Sequence, residues 1–198
     1  DGIPISIKDL ADIRNELTKG GSKMIKSEKA KSDAVFVKNL ISNGLIPIGK
    51  THMTELAFSG LGLNPQTKTP ANSIDPALVP GGSSSGSAVS VSKHLSAASI
   101  GSDTGGSVRI PAAWNNLVGL KTTLHSISLK GVLKLCPSFD TIGPLCKSVE
   151  DANALFSALK KKRIKLLSPL KLRRLRFLVI KNVFFEKLDQ DLKMSFDN

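Results

Sequence analysis

Apolar positions along the chain fall into short alternating runs and helical stripes. Gly2-Ile3-Pro4-Ile5-Ser6-Ile7 alternates and is rich in Ile, which predicts a strand ending at Lys8-Asp9. Residues 10–31 are polar and contain Gly, and read as a loop. From Asp33 to Asn43 the apolar positions Ala34, Val37, Leu40 and Ile41 share one helical face, and Gly44 supplies a stop. Leu45–Ile48 then reads as a short buried strand. Residues 59–82 carry repeated Gly, Pro and Asn without periodicity; a loop of that length inside a compact domain is usually functional. Ser85 to His94, rich in small residues, predicts a buried helix lying close on a sheet. Ala97-Ala98-Ser99-Ile100 predicts a strand, with a helix from Ser107 onward. Ser148-Val149-Glu150-Asp151 resembles a capping box and opens a helix over Ala152 to Lys160. A strand over Arg176 to Ile180 and a helical segment near Asp189 follow. Strand and helix alternate, so the class is α/β.

Composition narrows the picture. The chain has 198 residues, 40% of them hydrophobic and 22% charged, as in a soluble globular protein. No apolar run approaches the ~20 residues of a membrane span. Net charge is +12, but Lys160 to Arg176 holds nine Lys/Arg and no acid, which leaves +3 for the rest. The charge is a local basic connection without the aromatic interleaving that stacks bases, which argues against nucleic acid as a partner. Cys136 and Cys146 have no ligand neighbours at zinc-site spacing and read as reduced core or pocket residues, as in a cytoplasmic protein. His52, His94 and His125 are scattered, so no metal is expected. The chain starts at Asp1 directly before a strand and ends on Phe196-Asp197-Asn198 without a finished element, so it is expected to be a piece of a longer polypeptide.

Two motif matches fail on context. Gly44-Leu45-Ile46-Pro47-Ile48-Gly49-Lys50-Thr51 fits the phosphate-loop pattern, but its interior is apolar, Pro47 has no N–H, and it follows a helix where a strand is required. Gly82-Ser83-Ser84-Ser85-Gly86 fits the nucleophile elbow, but a Pro/Gly turn precedes it in place of a strand. The richest block is Gly101-Ser102-Asp103-Thr104-Gly105-Gly106-Ser107-Val108-Arg109. Two glycines before a serine permit a tight turn in which the backbone N–H groups from Thr104 to Ser107 point at one spot. An oxyanion hole requires that arrangement; a plain structural turn or anion nest has it too.

Taken together, these blocks resemble the amidase signature family. The resemblance is carried in order by Gly2-Ile3-Pro4-Ile5-Ser6-Ile7-Lys8-Asp9, Gly49-Lys50-Thr51-His52-Met53-Thr54-Glu55, Pro80-Gly81-Gly82-Ser83-Ser84-Ser85-Gly86-Ser87-Ala88, Gly101 to Ala112, and Gly119-Leu120-Lys121-Thr122-Thr123. It covers essentially the whole chain and thins after Leu159. His52 departs from the Asn that relatives usually carry. The resemblance implies a mixed β-sheet covered by helices on both faces, incomplete in this chain. The signature core would span about residues 1–125, the basic connection about 160–176, and a second half would start after 176.

The same resemblance implies a Ser–cis-Ser–Lys triad: Ser107 as nucleophile, Ser83 in a cis peptide as the bridging hydroxyl, and Lys8 as base. The amides of Thr104, Gly105, Gly106 and Ser107 would form the oxyanion hole. Ser84, Asp103 and Arg109 would bind substrate or brace the turn. A lysine with a reference pKa of about 10.4 must lose roughly three units to serve as base near neutrality, and burial supplies such a shift. The expected activity is hydrolysis of a linear small-molecule amide through an acyl-enzyme, as in a stand-alone amidase, with no cofactor; homo-oligomer formation is left open. Two alternatives stand beside it: the glutamine-hydrolysing A subunit of a Glu-tRNA(Gln)/Asp-tRNA(Asn) amidotransferase, and a truncated, inactive product. Met53 to Gly62 and Lys130 to Pro137 look more like the stand-alone enzymes.

Overall fold

Alternation in the first strand sets up the two faces of the sheet. β1 (Ile3–Lys8) buries Ile5 and Ile7 on one side and Ser6 and Lys8 on the other, following the two-residue period of a strand. In this computed structural model the described residues are 2–163 and, beyond them, 168, 173, 175, 176, 178–180, 185 and 188–197. β1 lies parallel to both β2 (Leu45–Thr51) and β3 (Ala98–Asp103). β4 (Val118–Gly119) and β3 both pair antiparallel with β5 (Thr141–Cys146), so the order is β2-β1-β3-β5-β4 and the sheet is mixed.

Helices cover both faces. Phe36, Val37 and Leu40 of α1 (Val35–Ser42) and Ala152, Leu155 and Leu159 of α4 (Val149–Leu159) pack with Ile5, Ile7, Ile100 and Ile142 into the larger core. Each fully buried Ile or Leu there contributes about 1.5–3 kcal/mol. On the other face, Ala88 of α2 (Ser85–Ser92) meets Val108, Leu145 and Ala112 of α3 (Arg109–Trp114). Ser85, Gly86, Ser87 and Ala88 are all buried, and their small side chains let α2 lie close on the strands. Buried hydroxyls replace apolar contacts at this interface: the Ser6 hydroxyl is 2.8 Å from those of Ser90 and Ser99. Ser148 caps α4 by accepting from the Asp151 amide, as its capping pattern predicts.

Several expectations need correction. β2 is an edge strand: Leu45 is buried, but Ile46 and Ile48 are exposed, and the register shifts between Ile5 and Ser6. Its Pro47 is compatible with an edge. All of the pattern but Gly44 lies within β2 itself, and only a three-residue 3-10 turn (Glu55–Ala57), not an α-helix, comes next, which disposes of the phosphate-loop match. On α1, Phe36 takes the buried place expected of Ile41, which is exposed. The compact unit runs to Leu166, with β5 between β3 and β4 in the sheet and α4 packed against it.

A second unit spans Leu167–Asn198 and holds the helix Gln190–Asp197, where Phe185 and Phe196 stack edge to face with centroids 5.1 Å apart. Of the strand expected over Arg176 to Ile180, residues 176 and 178–180 carry no secondary structure and Phe177 lies outside the described residues. Most of the basic connection beyond Arg163 also lies outside them. Among the described residues, no helix is long and apolar enough to cross a membrane.

β5 was invisible to pattern reading because Gly143-Pro144 interrupts it. Both residues have local reasons. Pro144 directs its carbonyl to the Leu120 amide at 3.1 Å, so its missing N–H faces the side where β4 has already ended. A Cβ on Gly143 would collide with the Leu120 carbonyl oxygen. Gly143→Ala is therefore expected to destabilise the protein by about 1–3 kcal/mol through overpacking, read as a lowered midpoint in thermal unfolding. An unchanged midpoint would mean that β4 yields without cost.

Candidate active site

The carboxyl ends of the parallel strands β1 and β3 lie side by side, and β5 starts next to them. Open α/β sheets place their ligand sites outside such strand ends. Lys8, the last residue of β1, is 0% exposed. Its Nζ lies 2.6 Å from Ser83 Oγ and 2.8 Å from Ser102 Oγ. Burial lowers the Lys8 ammonium to about 7, against the opposing pull of the Asp103 and Asp140 carboxylates, which raise it. The amine is thus poised to be neutral close to physiological pH. In that form it carries a lone pair that accepts the Ser83 proton while it donates to Ser102.

Ser83 arrives at Lys8 on the long loop before α2. The Gly82–Ser83 peptide is cis. Gly82 has no room for a side chain, since a Cβ would stand 2.6 Å from the Gly62 amide nitrogen. The chain is pinned there by Gly82 N–H to Gly60 O at 2.7 Å and by Thr54 N–H to Ser83 O at 3.1 Å. Ser84 is buried, and its amide donates to the Ser107 carbonyl at 3.2 Å. That bond sets the backbone of Ser107 beside the Ser83–Ser84 segment.

The turn between β3 and α3 is organised by Asp103. Its carboxylate accepts from the Gly106 amide at 2.8 Å, the Val108 amide at 3.2 Å and the Arg109 amide at 3.3 Å. It also receives the Arg109 guanidinium in a two-point pairing at 3.0 and 3.1 Å. Burial pushes the Asp103 carboxyl up, but the hydrogen bond from the Arg109 side chain and those from the Val108 and Arg109 amides outweigh it. Together with the guanidinium's charge, they hold Asp103 below the ordinary carboxylate range. Arg109 is thereby committed to the turn. The same bonds have a consequence for the expected oxyanion donors: the Gly106 N–H is already engaged by Asp103. Among the described residues, the amides of Thr104, Gly105 and Ser107 have no intramolecular acceptor.

Ser107 is 9% exposed, and its hydroxyl makes no hydrogen bond among the described residues. Lys8 and Ser83 are therefore in direct contact, whereas Ser83 and Ser107 are neighbours through the backbone without a hydroxyl–hydroxyl bond. Such bonds are often long in unliganded sites and tighten with substrate. Two participants were missed by sequence reasoning. Ser102 sits inside the quoted Gly101–Arg109 block but attracted no role. Asp140, buried at the head of β5, has no local motif that marks it. Cys146 is buried and has its thiol pushed up to about 11 by burial and by Asp151, so it stays an unreactive core residue.

Fold and site together define an α/β protein with a buried lysine–serine pair beside a glycine-bounded serine turn. Residues 1–183 match the Amidase family, and the chain belongs to that family of amidase-signature proteins. It is 40% identical over 158 residues to the A subunit of the glutamyl-tRNA(Gln) amidotransferase from Streptococcus gordonii, which is 80% of this chain and 32% of that one. A solved amidase superposes with a TM-score of 0.80 at 40% identity, covering 84% of this chain and 38% of the other. The native peptide amidase from Stenotrophomonas maltophilia gives a TM-score of 0.74 at 36% identity over 79% of this chain and 33% of its own. The chain spans about a third of the length of the relatives it matches.

Proposed function

We propose that the chain carries the catalytic serine machinery of an amide-cleaving enzyme acting on linear carboxylic amides. The observation that supports this most is the Lys8–Ser83 contact at 2.6 Å, with the Lys8 amine lowered to about 7. Ser107 Oγ attacks the amide carbonyl carbon. Its proton passes to Ser83 Oγ, and the Ser83 proton passes to neutral Lys8 Nζ. The tetrahedral oxygen gains its charge against the free amides of the Thr104–Ser107 turn, donors that are already oriented and need no reorganisation. The same relay, reversed, protonates the leaving nitrogen, and ammonia or an amine departs. Water then opens the Ser107 ester by the same route. In this reading, Ser84 and Asp103 brace the nucleophile turn and the small-molecule amide enters from the exposed Gly105 side.

The test uses the purified chain and a fluorophosphonate, which captures activated serines covalently. Peptide mass spectrometry is expected to find the adduct on Ser107. Ammonia release from a panel of primary amides, glutamine included, then reads the substrate class. Folded chain with no adduct at Ser107 overturns the assignment. A second reading is supported by the identity to the amidotransferase of Streptococcus gordonii: glutamine as the amide, with its ammonia passed to a protein partner. Release from glutamine that requires added partner subunits and charged tRNA supports this second reading. Release from simple amides by the protein alone supports the first.

A further inference from the structure

The nucleophile turn is held at two ends by different acids, and only one of them lies in the turn itself. Asp103 fixes the downstream limb through the Gly106, Val108 and Arg109 amides. At the upstream limb, Thr104 Oγ1 donates to Asp140 Oδ1 at 2.6 Å. One residue on, Thr141 Oγ1 donates to the Asp103 carbonyl at 2.7 Å, and Asp103 and Thr141 are register partners of β3 and β5. The Asp140-Thr141 pair therefore grips the Asp103-Thr104 pair reciprocally, side chain to side chain and side chain to backbone. Asp140 is itself set by the Leu135 amide at 2.9 Å and the Cys136 amide at 3.0 and 3.1 Å. Between the two anchors, Gly105 is exposed and nothing lies within 4 Å of where its Cβ would be.

We propose that Asp140 is a positioning residue for acyl transfer: through Thr104 it fixes the upstream limb of the nucleophile turn, and its negative charge acts on the buried base Lys8. This rests on the serine–lysine reading above. The argument is mechanical first. A donor array stabilises a developing oxyanion only if it is oriented before the charge forms. The unengaged amides of Thr104 and Gly105 lie on the limb that Asp103 does not hold. Without the Thr104–Asp140 bond, that limb would be restrained only at its base, by the strand pairing and the Thr141 hydroxyl at Asp103. The second part of the argument is electrostatic. The groups that face Lys8 are the hydroxyls of Ser83 and Ser102 and the carboxylates of Asp103 and Asp140. Both carboxylates favour the protonated amine, Asp103 the more strongly; Asp103 is paired with Arg109, whereas among the described residues Asp140 has no ion-pair partner. Removing the Asp140 charge therefore disfavours the protonated amine.

The experiment measures phosphonylation of Ser107 by a fluorophosphonate against concentration and pH, in the wild-type chain, Thr104→Val and Asp140→Asn. Thr104→Val removes the hydroxyl and keeps both side-chain shape and the Asp140 charge. Its maximal rate is expected to fall about tenfold at an unchanged half-saturating concentration, with the acid limb of the pH profile unmoved. Asp140→Asn is expected to show the same loss and, in addition, an acid limb displaced to lower pH. A maximal rate for Thr104→Val within twofold of wild type overturns the positioning role. A folded Asp140→Asn with an unmoved acid limb overturns the electrostatic role. If Asp140→Asn fails to fold, Thr104→Val alone decides the positioning role, and the electrostatic role is read from Asp140→Ser, which also removes the charge: its acid limb must move to lower pH, and an unmoved limb there overturns the role. A wild-type chain that takes no label at Ser107 overturns the serine–lysine reading itself, a result distinct from labelling that the variants leave intact.

Discussion

Ser107→Ala is expected to abolish amide turnover, lowering kcat by about 10⁴-fold or more, while leaving the unfolding midpoint nearly unchanged. The size follows from the role: when a nucleophile acts as one unit with its base, removing it costs about as much as removing the whole constellation. The small stability effect follows from the site. The Ser107 hydroxyl makes no hydrogen bond among the described residues, so its loss leaves no buried partner unsatisfied. The backbone contacts that hold the turn, the Ser84 amide to the Ser107 carbonyl and the Asp103 carboxylate to the Gly106 and Val108 amides, do not depend on the side chain. Steady-state ammonia release together with thermal unfolding checks both halves. Retained turnover would remove Ser107 from the mechanism, and a large fall in stability would mean that the residue is structural.

How much of this could be read from the chain depended on whether the signal was local. The strand ending at Lys8, the helix stopped by Gly44, the small-residue helix after Ser84 and the Ser148 cap each declare themselves within a dozen residues, and each is present. The signature blocks likewise lie in continuous stretches, and residues 1–183 match the family. What escaped notice is long-range. Whether a strand is central or an edge depends on segments far away in sequence, so β2, with exposed Ile46 and Ile48, looked buried. β5 was hidden because its glycine and proline answer to Leu120 on a neighbouring segment and break the alternation that marks strands. Asp140 came into view only with β5, since its partner Thr104 is 36 residues away.

Lys8→Met is expected to remove turnover while making the protein no less stable at pH 6, and the pH dependence of both effects follows from one displaced equilibrium. Burial moves the Lys8 ammonium from 10.5 to about 7. Below pH 7 the folded protein must keep a buried charge, which costs on the order of 5 kcal/mol at 1.36 kcal/mol per unit of displacement. Between pH 7 and 10.5 the unfolded chain binds the proton that the folded chain has released. The wild type therefore gains stability as pH rises through that window, and Lys8→Met lacks this gain. Methionine fills a similar volume but leaves Ser83 and Ser102 without their Lys8 partner, a loss of about 1–3 kcal/mol for each buried hydroxyl. The two terms nearly cancel at pH 6, and by pH 9 the wild type should have gained about 3 kcal/mol on the variant. Activity runs in the same direction for a different reason. The amine accepts the Ser83 proton only when neutral, so wild-type kcat/KM should rise tenfold per pH unit below 7 and level off above it. Chemical denaturation of both proteins from pH 6 to 9, with rate profiles alongside, measures the linkage. A wild-type rate that is flat from pH 5 to 8 would mean that Lys8 is not the base, and parallel stability curves would mean that its charge is not expelled on folding.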